Sequence, residues 1–134
     1  MITVTRFPGP VDIKWLGKNL RSSYWGASIT DDDIAAALKN SLHFWAFDYE
    51  GEKAEPVGFA RLLSDGNIIS TITDFFVVPT YQGQGVGKKL IEHILEHPEV
   101  KNTAVILATR DASSFYEKFG FKLNLDPVMI RYKP

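Results

Sequence analysis

The chain of 134 residues contains no cysteine. That excludes structural disulfides, a cysteine nucleophile and any metal site built on thiolates. Charge of one sign is also missing. Fifteen Lys and Arg against 16 Asp and Glu leave a formal net charge of -1, so no global field draws the chain to nucleic acid or to an anionic membrane. No apolar run approaches membrane-spanning length. The opening MITVTRFPGP lacks a cationic segment followed by an apolar core, so no signal peptide is expected and the chain reads as cytosolic. No internal repeat or low-complexity stretch is present. The length and an ordinary apolar content fit one domain over residues 1–134 with a core of its own.

The pattern along the chain is mixed. Residues 2–4 suit a short strand, broken by Pro8-Gly9-Pro10. Val11, Trp15, Leu16 and Leu20 fall near helical spacing over 11–20. Thr30 followed by Asp31, Asp32 and Asp33 marks a second helix start, continued by Ile34, Ala37, Leu38 and Leu42. Strands are predicted over 43–49, 57–63 and 68–78, with Asp65-Gly66-Asn67 making a hairpin between the last two. Val86, Leu90 and Ile94 step by four in a third helix that stops at His97-Pro98. Residues 105–108 are continuously apolar, as in a buried central strand, and a short helix over 112–119 ends at Gly120. Residues 121–123 and 128–132 complete the expectation as a final strand pair. The order predicts a mixed α/β sheet rather than regular βα alternation.

The glycine-rich stretch Tyr81-Gln82-Gly83-Gln84-Gly85-Val86-Gly87-Lys88 stands between the third long strand and the third helix. Bare backbone N–H groups and the positive end of a helix dipole make such a turn an anion site, suited to a phosphate or pyrophosphate. Two phosphate motifs fail. The spacing is G-x-G-x-G, not the G-x-G-x-x-G of a dinucleotide fold, and it falls mid-chain. A P-loop needs a glycine where Gln82 stands and a hydroxyl where Lys89 stands. By itself the stretch also suits a purely structural turn.

Gln82-Gly83-Gln84-Gly85-Val86-Gly87 matches [Q/R]-x-x-G-x-[G/A], the acetyl-CoA signature of the GCN5-related N-acetyltransferase (GNAT) family. Ala112-Ser113-Ser114-Phe115-Tyr116-Glu117-Lys118-Phe119-Gly120-Phe121 resembles the family's second motif, a short helix carrying a tyrosine and followed by F-G-F. The chain resembles the family over nearly its whole length. The resemblance implies a GNAT-like acyl-CoA N-acyltransferase fold: a central, mostly antiparallel sheet with helices on both faces and a splayed central strand pair. It also implies an acetyl-CoA-dependent N-acetyltransferase, acting by direct transfer to a primary amine without a metal. A non-catalytic acyl-CoA-binding or regulatory domain on the same fold is the alternative.

Under that resemblance the turn amides of Gly83, Gln84, Gly85, Val86, Gly87 and Lys88, introduced by Gln82, hold the pyrophosphate. Backbone groups of Phe75, Phe76, Val77 and Val78 pair with the pantetheine arm like an added strand. A backbone N–H near Phe76 or Val77 serves the carbonyl oxygen. Ser114 and Tyr116 complete the cofactor side. Tyr116 matches the residue that returns a proton to the departing thiolate, or else packs as an aromatic under the cofactor. Asp74, late on the central strand, is a candidate base that equally suits pairing with Arg61 across the sheet. His43 is a second candidate base; His93 and His97 read as solvated. Tyr24, Trp25 and Arg61 are the candidate acceptor contacts. The acceptor is a small-molecule amine or a peptide or protein amine, and homodimer formation through exposed strand edges is a further expectation.

Overall fold

The computed structural model describes residues 1–22, 28–124 and 126–133. In chain order these form β1 (Ile2–Thr5), α1 (Ile13–Arg21), α2 (Asp31–Lys39), β2 (Leu42–Glu50), β3 (Lys53–Ser64), β4 (Ile69–Val77), a single 3-10 turn (Pro79–Tyr81), α3 (Val86–Glu96), β5 (Ala104–Leu107) and α4 (Ser113–Glu117). The strands make one sheet in the order β1-β2-β3-β4-β5. All neighbours are antiparallel except β4 and β5, which are parallel.

Helices cover both faces, and each face has its own apolar cluster. On one face Leu16 and Leu20 of α1 and Ile34 and Leu38 of α2 pack on Trp45 and Phe59. Each helical pair is spaced by four, which puts both side chains on the inner stripe. On the other face Val86, Leu90, Ile91 and Ile94 of α3 pack on Phe44, Ala60, Leu62 and Ile72, joined by Tyr116 of α4. The first two helices start on side-chain caps. Asp12 accepts from the Trp15 N–H. Thr30 and Asp33 form a reciprocal capping box. The β3–β4 hairpin turns at Gly66 (φ +76°), and Asp65 Oδ1 accepts from the N–H groups of Asn67, Ile68 and Ile69.

The expected final strand pair is not there. Residues 121–123 and 128–132 form no strand, and Leu123, Val128 and Met129 are exposed. Strand propensity is a measure of fit to a paired, half-buried surface, and these residues have no ladder partner among the described residues. No helix among the described residues is long and apolar enough to cross a membrane.

The close approach of α3 to β3 depends on Gly58. A Cβ there would lie 3.0 Å from Leu90 Cδ1 and 3.3 Å from both the Phe76 carbonyl oxygen and Val86 Cγ1. Gly58→Val should therefore destabilise the fold by about 1–3 kcal/mol through overpacking. Urea unfolding measures this; an unchanged midpoint would mean that α3 rides higher on the sheet than described.

Candidate active site

β4 changes its partners and its phase at one place. Up to Ile72 it is paired on both edges, with β3 on one side and β5 on the other; the β5 ladder ends at Ile72 opposite Leu107. From residue 73 onward only β3 remains. At the same point the β3 register slips: Leu62 faces Ile72 while Arg61 faces Asp74, leaving Thr73 as an extra residue. A bulge of this kind reverses the side-chain alternation beyond it. Ile72 lies in the α3 cluster, and without the slip Asp74 would follow it there. With the slip Asp74 joins Phe76 on the α1–α2 face, and Phe75 turns to α3 and α4.

The unpaired edge of β4 has defined polarity. The Val78 N–H donates to Val57 O across to β3. Alternation then turns the N–H and C=O groups of Phe75 and Val77 away from β3, into the gap that β5 leaves. Of the four residues expected to offer backbone groups, Phe75 and Val77 present theirs to the open edge. Phe76 and Val78 direct their N–H groups to β3. The Val77 carbonyl already accepts from Gln82 Nε2 at 3.1 Å, so Gln82 ties the glycine turn to the strand.

The turn itself ends on a bare helix start. Gly83 (φ +78°) and Gly85 (φ +83°) are left-handed, and open space lies where their Cβ atoms would be. Gly85 is the N-cap of α3 and provides no side-chain cap; the first turn holds no acid. Gln82 N–H bonds to Pro79 O and Lys89 N–H to Gly85 O. Between them no N–H group of residues 83–88 makes a short, well-aligned hydrogen bond to a described residue. α1 and α2 satisfy their N-termini internally; α3 does not. Lys88 is exposed in that first turn, where a cation opposes the helix dipole. Gln84 points its Nε2 to Thr80 O, Val86 is buried, and Gly87 sits 3.4 Å (from its would-be Cβ) from the Phe115 ring.

α4 lies against this turn and against β4. Phe75 packs edge-on to Tyr116 at 5.7 Å between ring centroids and meets Phe115 at 5.9 Å. Tyr116 is 7% exposed, its hydroxyl makes no hydrogen bond to a described residue, and burial pushes its phenol up to about 12. Ser114 is exposed in the first turn of α4.

On the opposite face of β4, Arg61 Nε donates to Asp74 Oδ2 at 2.6 Å, with Asp74 almost fully buried. Arg61 Nη1 also donates to Ser41 Oγ. Of the two uses open to Asp74 in the sequence, pairing with Arg61 is therefore realised. His43 stands opposite Arg61 in the β2–β3 register, so His43, Arg61 and Asp74 form one row across three strands. His43 Nδ1 accepts from Trp45 Nε1 at 3.0 Å, and burial, then the charge of Arg6, lowers its pKa. His93 and His97 lie elsewhere, on α3 and at its end; His97 faces Arg6 at 3.2 Å. Tyr24 and Trp25 lie outside the described residues. Sequence reasoning missed the Thr73 bulge, Ser41 and the Gln82 strut. None of the three leaves a local trace, because each depends on a partner distant in sequence or on a side-chain bond.

Two consequences are measurable. The Tyr116 pKa is raised on folding above the ordinary value near 10. Its neutral burial therefore stabilises the fold fully below about pH 10, and that contribution is lost as pH rises through about 12. Tyr116→Phe should remove a late phenolate step from an ultraviolet titration; loss of a step near pH 10 would contradict the burial. Asp74→Ala should cost about 3 kcal/mol, because it strands a largely buried guanidinium. Thermal denaturation of that variant against Arg61→Met/Asp74→Leu, which removes both charges and should recover much of the loss, separates the two effects.

Residues 40–123 match the acetyltransferase (GNAT) domain family. An uncharacterised N-acetyltransferase, ycf52, of Gracilaria tenuistipitata var. liui is 34% identical over 98 residues, covering 71% of this chain and 54% of its own length. Histone acetyltransferase TAP1 of Glycine max is 37% identical over 105 residues, covering 71% of this chain and 46% of its own. The chain thus spans about half the length of these curated relatives. A crystal structure of a putative GNAT-family acetyltransferase from Xanthomonas campestris pv. campestris superposes with a TM-score of 0.85 at 30% identity, over 100% of this chain and 94% of that one. On the domain match over residues 40–123, the identity to these relatives and the superposition, the chain belongs to the GNAT acetyltransferases.

Proposed function

We propose that the chain catalyses direct transfer of the acetyl group of acetyl-CoA to a primary amine. The observation that supports this most is the pairing of two backbone features beside β4: the N–H groups of residues 83–88 at the glycine turn and the open edge at Phe75 and the Val77 N–H. The first fits a pyrophosphate and the second an amide-bearing pantetheine arm. Glycine at 83 and 85 permits the close approach that a side chain would block. Lys88 adds positive charge beside the phosphates.

When bound, acetyl-CoA supplies the thioester whose C–S bond breaks as the amine forms the C–N bond. The outward N–H of Val77 or Phe75 donates to the carbonyl oxygen as negative charge develops there. Asp74 takes the amine proton, directly or through water, with Arg61 holding the carboxylate in one orientation. Tyr116, protonated throughout the neutral range, donates its hydroxyl proton to the sulfur and recovers one from solvent. One proton has then moved from nitrogen to sulfur. The two groups serve opposite faces of β4, so the amine arrives from the α1–α2 side and the thiol departs on the α4 side. The Glycine max relative is named for a histone acceptor, and the Gracilaria relative for none. The acceptor of this chain is left to its own residues.

Tyr116→Phe should lower the rate of CoA thiol release about 100-fold with CoA affinity unchanged. Gly85→Val, strained at φ +83° and projecting into the turn, should weaken CoA binding by about tenfold or more, equivalent to about 1.4 kcal/mol. Thiol release and CoA titration calorimetry measure both. CoA binding without release on any amine, wild type included, would leave a binding domain and sink the catalytic reading.

A further inference from the structure

Tyr81 opens the glycine turn, and its phenol reaches away from it. The hydroxyl donates to Asp48 Oδ2 at 2.6 Å, a length proper to a hydrogen bond on a charged acceptor. Asp48 belongs to β2 and Tyr81 follows β4, so the bond spans β3 and joins residues 33 apart in sequence. Asp48 Oδ1 accepts separately from the Met1 amine at 3.0 Å. The Tyr81 ring packs on the α3 cluster, and its N–H donates to Val78 O. We infer that Tyr81 and Asp48 are positioning residues for the pyrophosphate turn: their bond pins the strand side of the turn to the sheet, so that the N–H groups of residues 83–88 converge before acetyl-CoA arrives. The inference rests on the acetyl-CoA reading and deepens it.

The two ends of the turn are held differently. On the helix side Val86 and Leu90 are buried, which fixes the start of α3. On the strand side β4 ends at Val77, beyond the last residue paired to β5. Between them stand Gly83 and Gly85, whose backbones accept many conformations. The side chains of Gln82 and Gln84 bond to Val77 O and Thr80 O, five and four residues back. Ties of that span fold the turn on its own strand end. The Asp48 bond refers it to a strand two places away in the sheet. Convergent N–H groups hold an anion best when they are already ordered, since ordering them on binding subtracts from affinity. Both groups keep the forms that the bond requires across the neutral range. The Asp48 hydrogen bond, then burial, pushes the Tyr81 phenol up to about 12. The same bond, then the Met1 amine, holds the Asp48 carboxyl below its ordinary value.

The test compares wild type, Tyr81→Phe, Asp48→Ala and the double variant. Tyr81→Phe keeps the ring and its packing, and Asp48→Ala reads the same bond from its other end. Titration calorimetry with CoA should show affinity about fivefold or more weaker in each single variant. The double variant should bind no more weakly than Asp48→Ala, because one bond is lost only once. Thiol release is then followed with 2-phenylethylamine, spermidine, glucosamine and a lysine-containing peptide in turn as acceptor, from acetyl-CoA and from S-acetylpantetheine, which lacks the pyrophosphate. Tyr81→Phe should raise the KM for acetyl-CoA with kcat changed less than about twofold, and should leave kcat/KM for S-acetylpantetheine unaltered. An equal loss with both donors is a general distortion of the fold and overturns the inference. Wild-type CoA affinity in Tyr81→Phe, or additive losses in the double variant, overturns it and leaves the acetyl-CoA reading standing. If no acceptor releases thiol from the wild type, the calorimetric cycle decides the anchor alone. A wild-type chain that binds no CoA overturns the reading and the anchor together.

Discussion

The arrangement depends on β4 losing one neighbour while keeping the other. Backbone hydrogen bonds are obligatory in a sheet interior, so a central strand with a bare edge is a defect unless something else pairs with it. Here the defect begins where the β5 ladder ends at Leu107, and it runs from residue 73 to residue 77. The helix that follows repeats the situation at its own N-terminus, with N–H groups and no cap. Both unsatisfied surfaces belong to one strand–turn–helix unit, and the Gln82 side chain bonded to Val77 O keeps them in fixed relation.

The Thr73 bulge has a second effect. It lets one strand serve two chemically different faces within a few residues. Phe75 faces a cluster of aromatic rings that keeps Tyr116 dry and protonated, while Asp74 faces the α1–α2 side and is neutralised by Arg61. A phenol and a carboxylate are thus separated by the thickness of the sheet rather than opposed across a cleft.

Much of the fold is legible locally. Helix starts at Thr30 and Val86, the Asp65-Gly66 turn and the meander of long strands all rest on caps, turns and periodicity, which operate over a few residues; β5 is legible as a strand, but the buried central place expected for it is not realised, because it ends the sheet and Ile106 is 51% exposed. The final strand pair is where that reasoning fails: Val128 to Tyr132 has the composition of a strand, but composition cannot provide a partner edge. The anion turn is also local, because left-handed glycines before an apolar helix are visible as residue types.

What the sequence determined by itself is the family resemblance and the local form of the turn and of α4, since three alternate glycines and a tyrosine in a helix-plus-F-G-F pattern are visible in their spacing. What only the tertiary structure decided is which way Asp74 points and what it meets. A bulge is a disagreement between two strands and is written in neither alone. The partnership of Asp74 with Arg61 and its separation from Tyr116 both follow from that long-range register.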